Sequence, residues 1–286
     1  MLGRLGKDAG SLLGVEIAPD SIRMAQLRRR GGCCERIAWA YQAFDPGTAA
    51  NGWQDLDRVA SALRSAHRQC GSRQRRAAVA LPASQVICKV IELPAGLPDS
   101  ERETRLLADA EQLFPFPLEE LVLDFQVLGT SAARPGHRDI LVAACRQSAL
   151  RPYETVFDEA GLQLDAVEVD SIALRRMIPL QASGDAALLR IEAGSLTLHG
   201  WRQEALPLRR EWPAGAVLER SAGVFGDGLA PDELFVTAVE GVERDAPARL
   251  SEALGVPCRP LPPVAGLDCS DSAMTLACAL ALGGMR

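Results

Sequence analysis

Three stretches near the start of the chain alternate apolar with polar residues: Leu13-Gly-Val-Glu-Ile17, Ile22-Arg-Met-Ala-Gln-Leu27 and, after Gly31-Gly32, Arg36-Ile-Ala-Trp-Ala-Tyr-Gln-Ala-Phe44. A period of two puts every second side chain on one face of a strand, so the pattern predicts an antiparallel meander. The period then changes. Leu56, Val59, Ala60 and Leu63 recur at helical spacing behind Asp55, a plausible N-cap, and Gly71 stands past the last turn. Ala77–Leu81 is a short apolar run stopped by Pro82, as expected of a buried strand returning to the meander. The first eighty residues thus read βββαβ.

A second unit reads βαββ. Val86–Leu93 is a strand. Ser100-Glu-Arg-Glu103 has the form of a capping box, and Leu106, Leu107, Ala110, Leu113 and Phe114 continue one apolar stripe to Pro115. Strands at 121–128 and 139–145 follow, separated by a Gly/Pro loop. Tyr153, Val156, Phe157 and Ala160 resume the helical period, Gly161 ends it, and Leu162–Val169 alternates as a strand. Asp170 is placed to cap a short helix to Ile178. Strands at 186–191, 195–201 and 206–211 repeat the opening meander, which suggests two related halves. The remainder supplies a strand at 234–239, a helix at 247–254 and a helix of small residues at 272–282.

Composition narrows the function classes. With 286 residues, 48% hydrophobic and 24% charged, the chain is long enough for one large or two medium domains, and wholesale disorder is excluded. A net charge of −6 argues against binding nucleic acid through a broad basic surface. The charge is unevenly spread: residues 1–76 hold 13 Lys+Arg against 7 Asp+Glu, and the rest 18 against 30. Arg28-Arg29-Arg30 and Arg73, Arg75 and Arg76 dominate the basic part and are read as turn sites. The eight cysteines include no CxxC pair, so they are expected reduced, and no spacing predicts a zinc site. The apolar stretch Ala273–Leu282 is half the roughly 20 residues a bilayer span needs.

Motif chemistry is sparse. Neither GxGxxG nor GxxxxGK[ST] occurs, no GxSxG elbow is present, and no His stands by motif beside a nucleophile. One segment is specific. Asp109-Ala-Glu-Gln-Leu-Phe-Pro-Phe-Pro-Leu-Glu-Glu-Leu-Val-Leu-Asp-Phe125 resembles the signature of the PilM family of type IV pilus platforms. Ala80–Pro94, Asp139–Arg146, Glu159–Leu162 and Val167–Arg175 extend the resemblance in the family's order. It implies an α/β, actin-like ATPase (ribonuclease H-like) fold of two lobes with an inserted βαββ module of the SHS2 type and a shortened second lobe. The expected division is 1–82 and 148–180 for the first lobe, 83–147 for the module and 181–286 for the second lobe.

Where the family's relatives hold nucleotide, this chain departs from the pattern. An Asp-x-Gly in each hairpin turn lets backbone amides approach phosphate, since a side chain there blocks the approach. The first turn has Glu16 and Ala18 at those positions, followed by Pro19, which lacks an amide donor, and by Ser21. The second has Arg190 and Glu192. A late Gly-Gly is reduced to Gly241 alone. A carboxylate in place of bare backbone is expected to repel phosphate, so the expected cofactor is none, with ATP and Mg as the alternative. The resemblance implies a cytoplasmic scaffold peripheral to the inner membrane. Its partner is a PilN-like bitopic protein bound through a short N-terminal peptide, with other platform proteins and self-association also open. Alternatives are an active actin-like ATPase and a cytoplasmic component of a type II secretion platform. Partner-binding candidates are Lys89, Gln112, Phe114, Phe116 and Arg146. Phe114 and Phe116 flank Pro115, a place for core plugs or for peptide anchors.

Overall fold

The computed structural model describes residues 11–30, 33–44, 55–179, 185–192, 194–202, 206–213, 225, 229, 231–238, 246–263, 267 and 272–285. The Gly31-Gly32 turn and Gly241 lie outside them.

The opening meander is β1 (Leu13–Ile17), β2 (Ser21–Arg30) and β3 (Cys33–Ala43). Two parallel strands, β4 (Arg76–Leu81) and β8 (Gln163–Val169), extend it in the order β3-β2-β1-β4-β8. The second meander is β9 (Ala186–Ile191), β10 (Ser195–Arg202) and β11 (Leu206–Pro213). With β12 (Glu233–Ala238) and a short β13 (Cys258–Pro260), it forms a sheet in the order β11-β10-β9-β12-β13. The sheets match strand for strand, including the antiparallel pairing of the first three and the parallel pairing of the last two. The two halves share one plan.

The faces of the first sheet explain its helices. Leu13, Val15, Ile22 and Met24 point to α1 (Leu56–Cys70) and α4 (Gln147–Glu159), and close a core with Val59, Leu63, Val156 and Phe157. The Asp55 carboxylate caps α1 by accepting from Arg58 N at 3.0 Å, and Gly71 ends it in the left-handed region at φ 69°. The opposite face receives α5 (Asp170–Arg175) and α7 (Thr275–Gly283). Helix α7 is apolar on nearly every side, so it needs cover all round. It finds that cover by crossing back onto β1 and β2 of the first sheet. Gly14 permits the crossing: a Cβ there would stand 1.9 Å from the Ala277 carbonyl oxygen. Helix α6 (Ala246–Leu254) lies on the second sheet, with Leu250 in its core.

The inserted module is β5 (Ile87–Pro94), α2 (Asp99–Ala108), α3 (Ala110–Leu113), β6 (Leu121–Thr130) and β7 (His137–Arg146), with strand order β5-β7-β6. Leu106 and Phe114 cover Ile140 and Val142. Three expectations need correction. The capping box does not form: the helix starts at Asp99 because the Pro98 carbonyl accepts from Glu101 N and Arg102 N, both at 3.1 Å, leaving Ser100 inside the first turn. The apolar stripe spans two helices broken at Asp109, with Leu107 turned outward. Arg28–Arg30 belong to strand β2, where Arg28 pairs with Glu35 at 3.1 Å, and not to a turn.

Candidate functional site

The two β-hairpins turn alike. Ala18 N donates to Ser21 O at 2.9 Å, and Glu192 N to Ser195 O at 2.9 Å. Superposing the turns sets Ala18 on Glu192 and Glu16 on Arg190. The second of these matched pairs carries opposite charge, and its members meet: Arg190 Nη2 donates to Glu16 Oε1 at 2.7 Å, and also to Glu192 Oε1 at 3.0 Å. Arg23, on β2, completes the group. Its Nη1 donates to Glu192 Oε1 at 2.6 Å and lies 3.6 Å from Glu16 Oε2, while its Nε donates to Ser21 Oγ at 3.2 Å. Glu16, Arg23 and Arg190 are buried and Glu192 is partly so.

Two cations therefore offset two anions in a seam between the lobes. The carboxylate that stands in place of bare backbone at the second turn is thus already paired with both arginines. Burial opposes the charges of Arg23, Arg190 and Glu192, yet their partners outweigh it. Glu16 and Glu192 hold the Arg23 and Arg190 guanidinium pKa values above their ordinary range, and Arg190 and Arg23 hold Glu192 below the usual carboxylate range. Sequence reasoning missed Arg23. Its partner Glu192 lies 169 positions away, and no local pattern links the two.

A second polar cluster lies deeper in the seam. The Ser171 hydroxyl and His199 Nδ1 are 2.8 Å apart, and Ser171 Oγ also reaches Asp170 Oδ1 at 3.2 Å. Asp170 Oδ1 accepts from Ala83 N at 2.9 Å and from Ser171 N at 2.6 Å, and its other oxygen pairs with Arg209 at 3.0 Å. Asp170 is the first residue of α5 rather than its cap, and its carboxylate joins α5, the β4–β5 link and β11. Trp201 Nε1 donates to Ser171 O at 2.8 Å. Burial, then Arg190 and Arg209, push the His199 pKa well below the ordinary imidazole value. A Ser–His–Asp sequence of contacts is a hydrolase geometry only when substrate can reach it. Here Ser171 and His199 are both 0% exposed, so the cluster fastens α5 to β10.

The module's candidates fall into two pairs. Lys89 Nζ lies 5.7 Å from the Phe114 ring centroid, and the Arg146 guanidinium 4.9 Å from that of Phe116. Arg146 also pairs with Glu120 at 2.7 Å. Phe114 is a core plug and 3% exposed, Phe116 is half-buried, and Gln112 is exposed on α3. Lys89, Phe114 and Phe116 belong to the helix-covered side of the module sheet, which carries Ile87, Ile91 and Val142.

The opposite side of that sheet borders a groove of about 660 Å³. Its walls are the whole of β8, the Leu150–Asp158 side of α4, and Val122, Asp124, Ala143 and Cys145 of β6 and β7. None of the five partner-binding candidates lines it. Sequence periodicity gave both walls as elements, but which of their faces oppose each other is a property of the assembled fold.

The sequence profile of the type IV pilus assembly protein PilM family matches residues 14–188. Among solved structures, a PilM–PilN type IV pilus biogenesis complex is similar over 96% of this chain and 99% of its own, with TM-score 0.74 and 22% identity. The cytoplasmic domain of EpsL, an inner-membrane component of the type II secretion system of Vibrio cholerae, is similar over 96% and 95%, with TM-score 0.51 and 18% identity. The ethanolamine utilization protein EutJ from Carboxydothermus hydrogenoformans is similar over 98% and 92%, with TM-score 0.54 and 11% identity. No helix among the described residues is long and apolar enough to cross a membrane. With more than half of its length matched by the family profile and its two like sheets arranged in the actin-like fold, the chain belongs to the type IV pilus assembly protein PilM family.

Proposed function

We propose that this chain is a nucleotide-independent scaffold of a type IV pilus-type assembly platform, held at the inner membrane by a PilN-like single-span protein. The observation that carries the reading is the quartet Glu16–Arg190–Glu192–Arg23. An actin-like ATPase holds phosphate between its two hairpin turns with bare amides. Here those turns meet through their own side chains, and the charge a phosphate would satisfy is already satisfied. A triphosphate could enter only by parting Glu192 from both arginines, leaving a partly buried carboxylate without its partners, which costs free energy. The lobes are thus closed without a ligand, which suits a part whose work is to hold another protein.

The groove beside β8 supports the second half of the reading. The structural relative named for a PilM–PilN complex shares this fold over nearly its full length, and the groove lies where the first lobe meets the module. The partner's N-terminal cytoplasmic segment is assigned to it. Calorimetric titration of the purified protein with Mg-ATP checks the nucleotide half. No heat of binding is expected up to millimolar nucleotide, and micromolar affinity with turnover restores the ATPase alternative. Titration with the first twenty or so residues of the single-span partner checks the other half, with saturable binding expected to be indifferent to added ATP.

A further inference from the structure

Arginines of the first lobe gather at one end of its sheet. Leu13 is flanked by Gln26 of β2 and by Ala77 of β4, so Arg28–Arg30, beyond Gln26, and Arg73 and Arg75, ahead of Ala77, extend from the same end. Ser72 Oγ donates to Gln26 Oε1 at 2.6 Å and ties the two stretches together. Arg68 joins them from the last turn of α1. All six side chains are exposed. Of the carboxylates at this end, Glu35 is paired with Arg28 and Asp165 with Arg76, while Asp158 and Glu159 close α4 beside the start of β8, the edge farthest from β3.

The edge strand next to these arginines carries aromatic side chains. Cys34, Arg36, Trp39 and Tyr41 of β3 stand opposite Arg29, Leu27, Ala25 and Arg23 of β2, and so share the side of the sheet on which α7 lies. Ala25, Leu27 and Cys34 pack on Ala277 and Ala281 of α7. Further along β3 that cover ends: Trp39 is 50% exposed, Tyr41 41%, and Ile37, the extra residue of a bulge, 44%. Three of the six large apolar side chains left exposed among the described residues thus fall within five positions of one edge strand, a place where charge is the usual protection. The Arg36 guanidinium lies 5.1 Å from the Trp39 ring centroid. Arg29, Arg30 and Arg36 form no ion pair among the described residues. The packing of the chain on itself makes no use of this combination.

We propose that this corner of the first lobe rests on the surface of a bilayer containing anionic lipid, with Arg29, Arg30 and Arg36 on headgroup phosphates and Ile37, Trp39 and Tyr41 at headgroup level. Charge complementarity selects the occupant, since clustered arginines are drawn to an anionic leaflet. Trp and Tyr settle where an apolar ring meets wet headgroups. The spread of the cations selects it further. A continuous layer of headgroups reaches the strand and the sheet end together, whereas a single added peptide lies along β3 alone. The inserted module follows the other end of β4, and the groove runs along β8 at the far edge of the sheet, so contact with a bilayer here leaves both uncovered.

Flotation of the purified full chain with vesicles tests this. The protein is expected to float with phosphatidylethanolamine vesicles holding about one-third phosphatidylglycerol, to remain behind with phosphatidylcholine vesicles, and to be released by salt near ~0.5 M. The R29Q/R30Q/R36Q variant is expected to lose about fivefold or more of the floated fraction while melting with the wild type, since these arginines hold no ion pair. Trp39→Ser should lower it too. Trp39→Phe, which keeps an apolar ring, should float while losing a blue shift of tryptophan emission that the wild type shows on anionic vesicles. Equal flotation with neutral and anionic vesicles, undiminished flotation of the triple arginine variant, or emission from Trp39 that does not move on binding overturns the proposal. So does a protein that ignores vesicles but binds soluble polyglutamate, or that dimerises in sedimentation velocity through Trp39, since the patch is then a protein interface.

Discussion

At the scale of residues, the central fact is a pair of matched positions, Glu16 and Arg190, whose side chains meet at 2.7 Å. Removing one member of a buried ion pair strands the other, at about 3–5 kcal/mol. Arg190→Met is therefore expected to lower stability by about that much in urea denaturation, and Glu16→Gln in the same chain to recover a large part by removing the stranded charge. A loss under ~1 kcal/mol, in the range of exposed pairs, would show that water reaches the seam. His199 makes a separate expectation. Its folded pKa lies below the unfolded value of about 6.5, so the neutral ring contributes stability above that pH, and the contribution falls as the unfolded chain takes up the proton. The advantage of the wild type over His199→Gln should shrink on acidification from pH 6.5, by up to about 1.4 kcal/mol per pH unit. Parallel stability curves for the two proteins would refute a titrating imidazole. Of these residues, Glu16, Arg190 and Glu192 were visible in the sequence as departures from a phosphate-binding turn. Their pairing was not, because the partners are 174 positions apart and no local pattern links them.

Elements were more legible than the way they pack, because periodicity is a local property. Alternation located both meanders, and the Asp55 and Gly71 signals fixed both ends of α1. The failures have local physical causes. Pro98 starts α2 ahead of the Ser-x-x-Glu pattern, and β13 is a three-residue strand too short to show a period. Helix α7 was legible as a helix of small residues, but its seat on the first sheet was not, since nothing in its sequence names β1. That seat depends on Gly14. Because the atom a Cβ would meet is the Ala277 backbone oxygen, no side-chain rotation relieves the overlap, and the helix must move. Gly14→Val should therefore cost at least the ~1–3 kcal/mol typical of overpacking. Hydrogen exchange should speed up in both β1 and α7. Faster exchange confined to β1 would mean that α7 is held from elsewhere.

For the whole molecule, the repeated sheet order gives two lobes that could each form a stable unit, and the question is what couples them. Among the described residues, four kinds of contact cross between them: the charge quartet at the hairpin turns, the Asp170–Ser171–His199 cluster with Trp201 and Arg209, α7 lying across the first sheet, and an apolar cluster in which Ala173, Leu174 and Met177 meet Ala186, Leu188, Trp201 and Phe235. The first two are polar and buried, so each favours closed lobes by making separation strand charges or hydrogen-bonding groups; the third ties the end of the described chain to its start. An actin-like relative that closes on nucleotide gains its coupling from the ligand, and its lobes respond to concentration by mass action, about 2.7 kcal/mol at a hundredfold excess over Kd. Coupling built from the chain's own residues has no such dependence. Scanning calorimetry of the wild type should accordingly show one cooperative transition whose midpoint does not move with millimolar Mg-ATP. The Arg23→Met/Arg190→Met double variant leaves Glu16 and Glu192 facing each other without a cation, so the lobes should repel where they were fastened. Its transition is expected to divide into two, the lower one belonging to the second lobe, whose core, among the described residues, draws on fewer buried side chains than the first. A single transition displaced to lower temperature would locate the coupling in α7 instead, and Gly14→Val, which unseats that helix, should then be the variant that divides it.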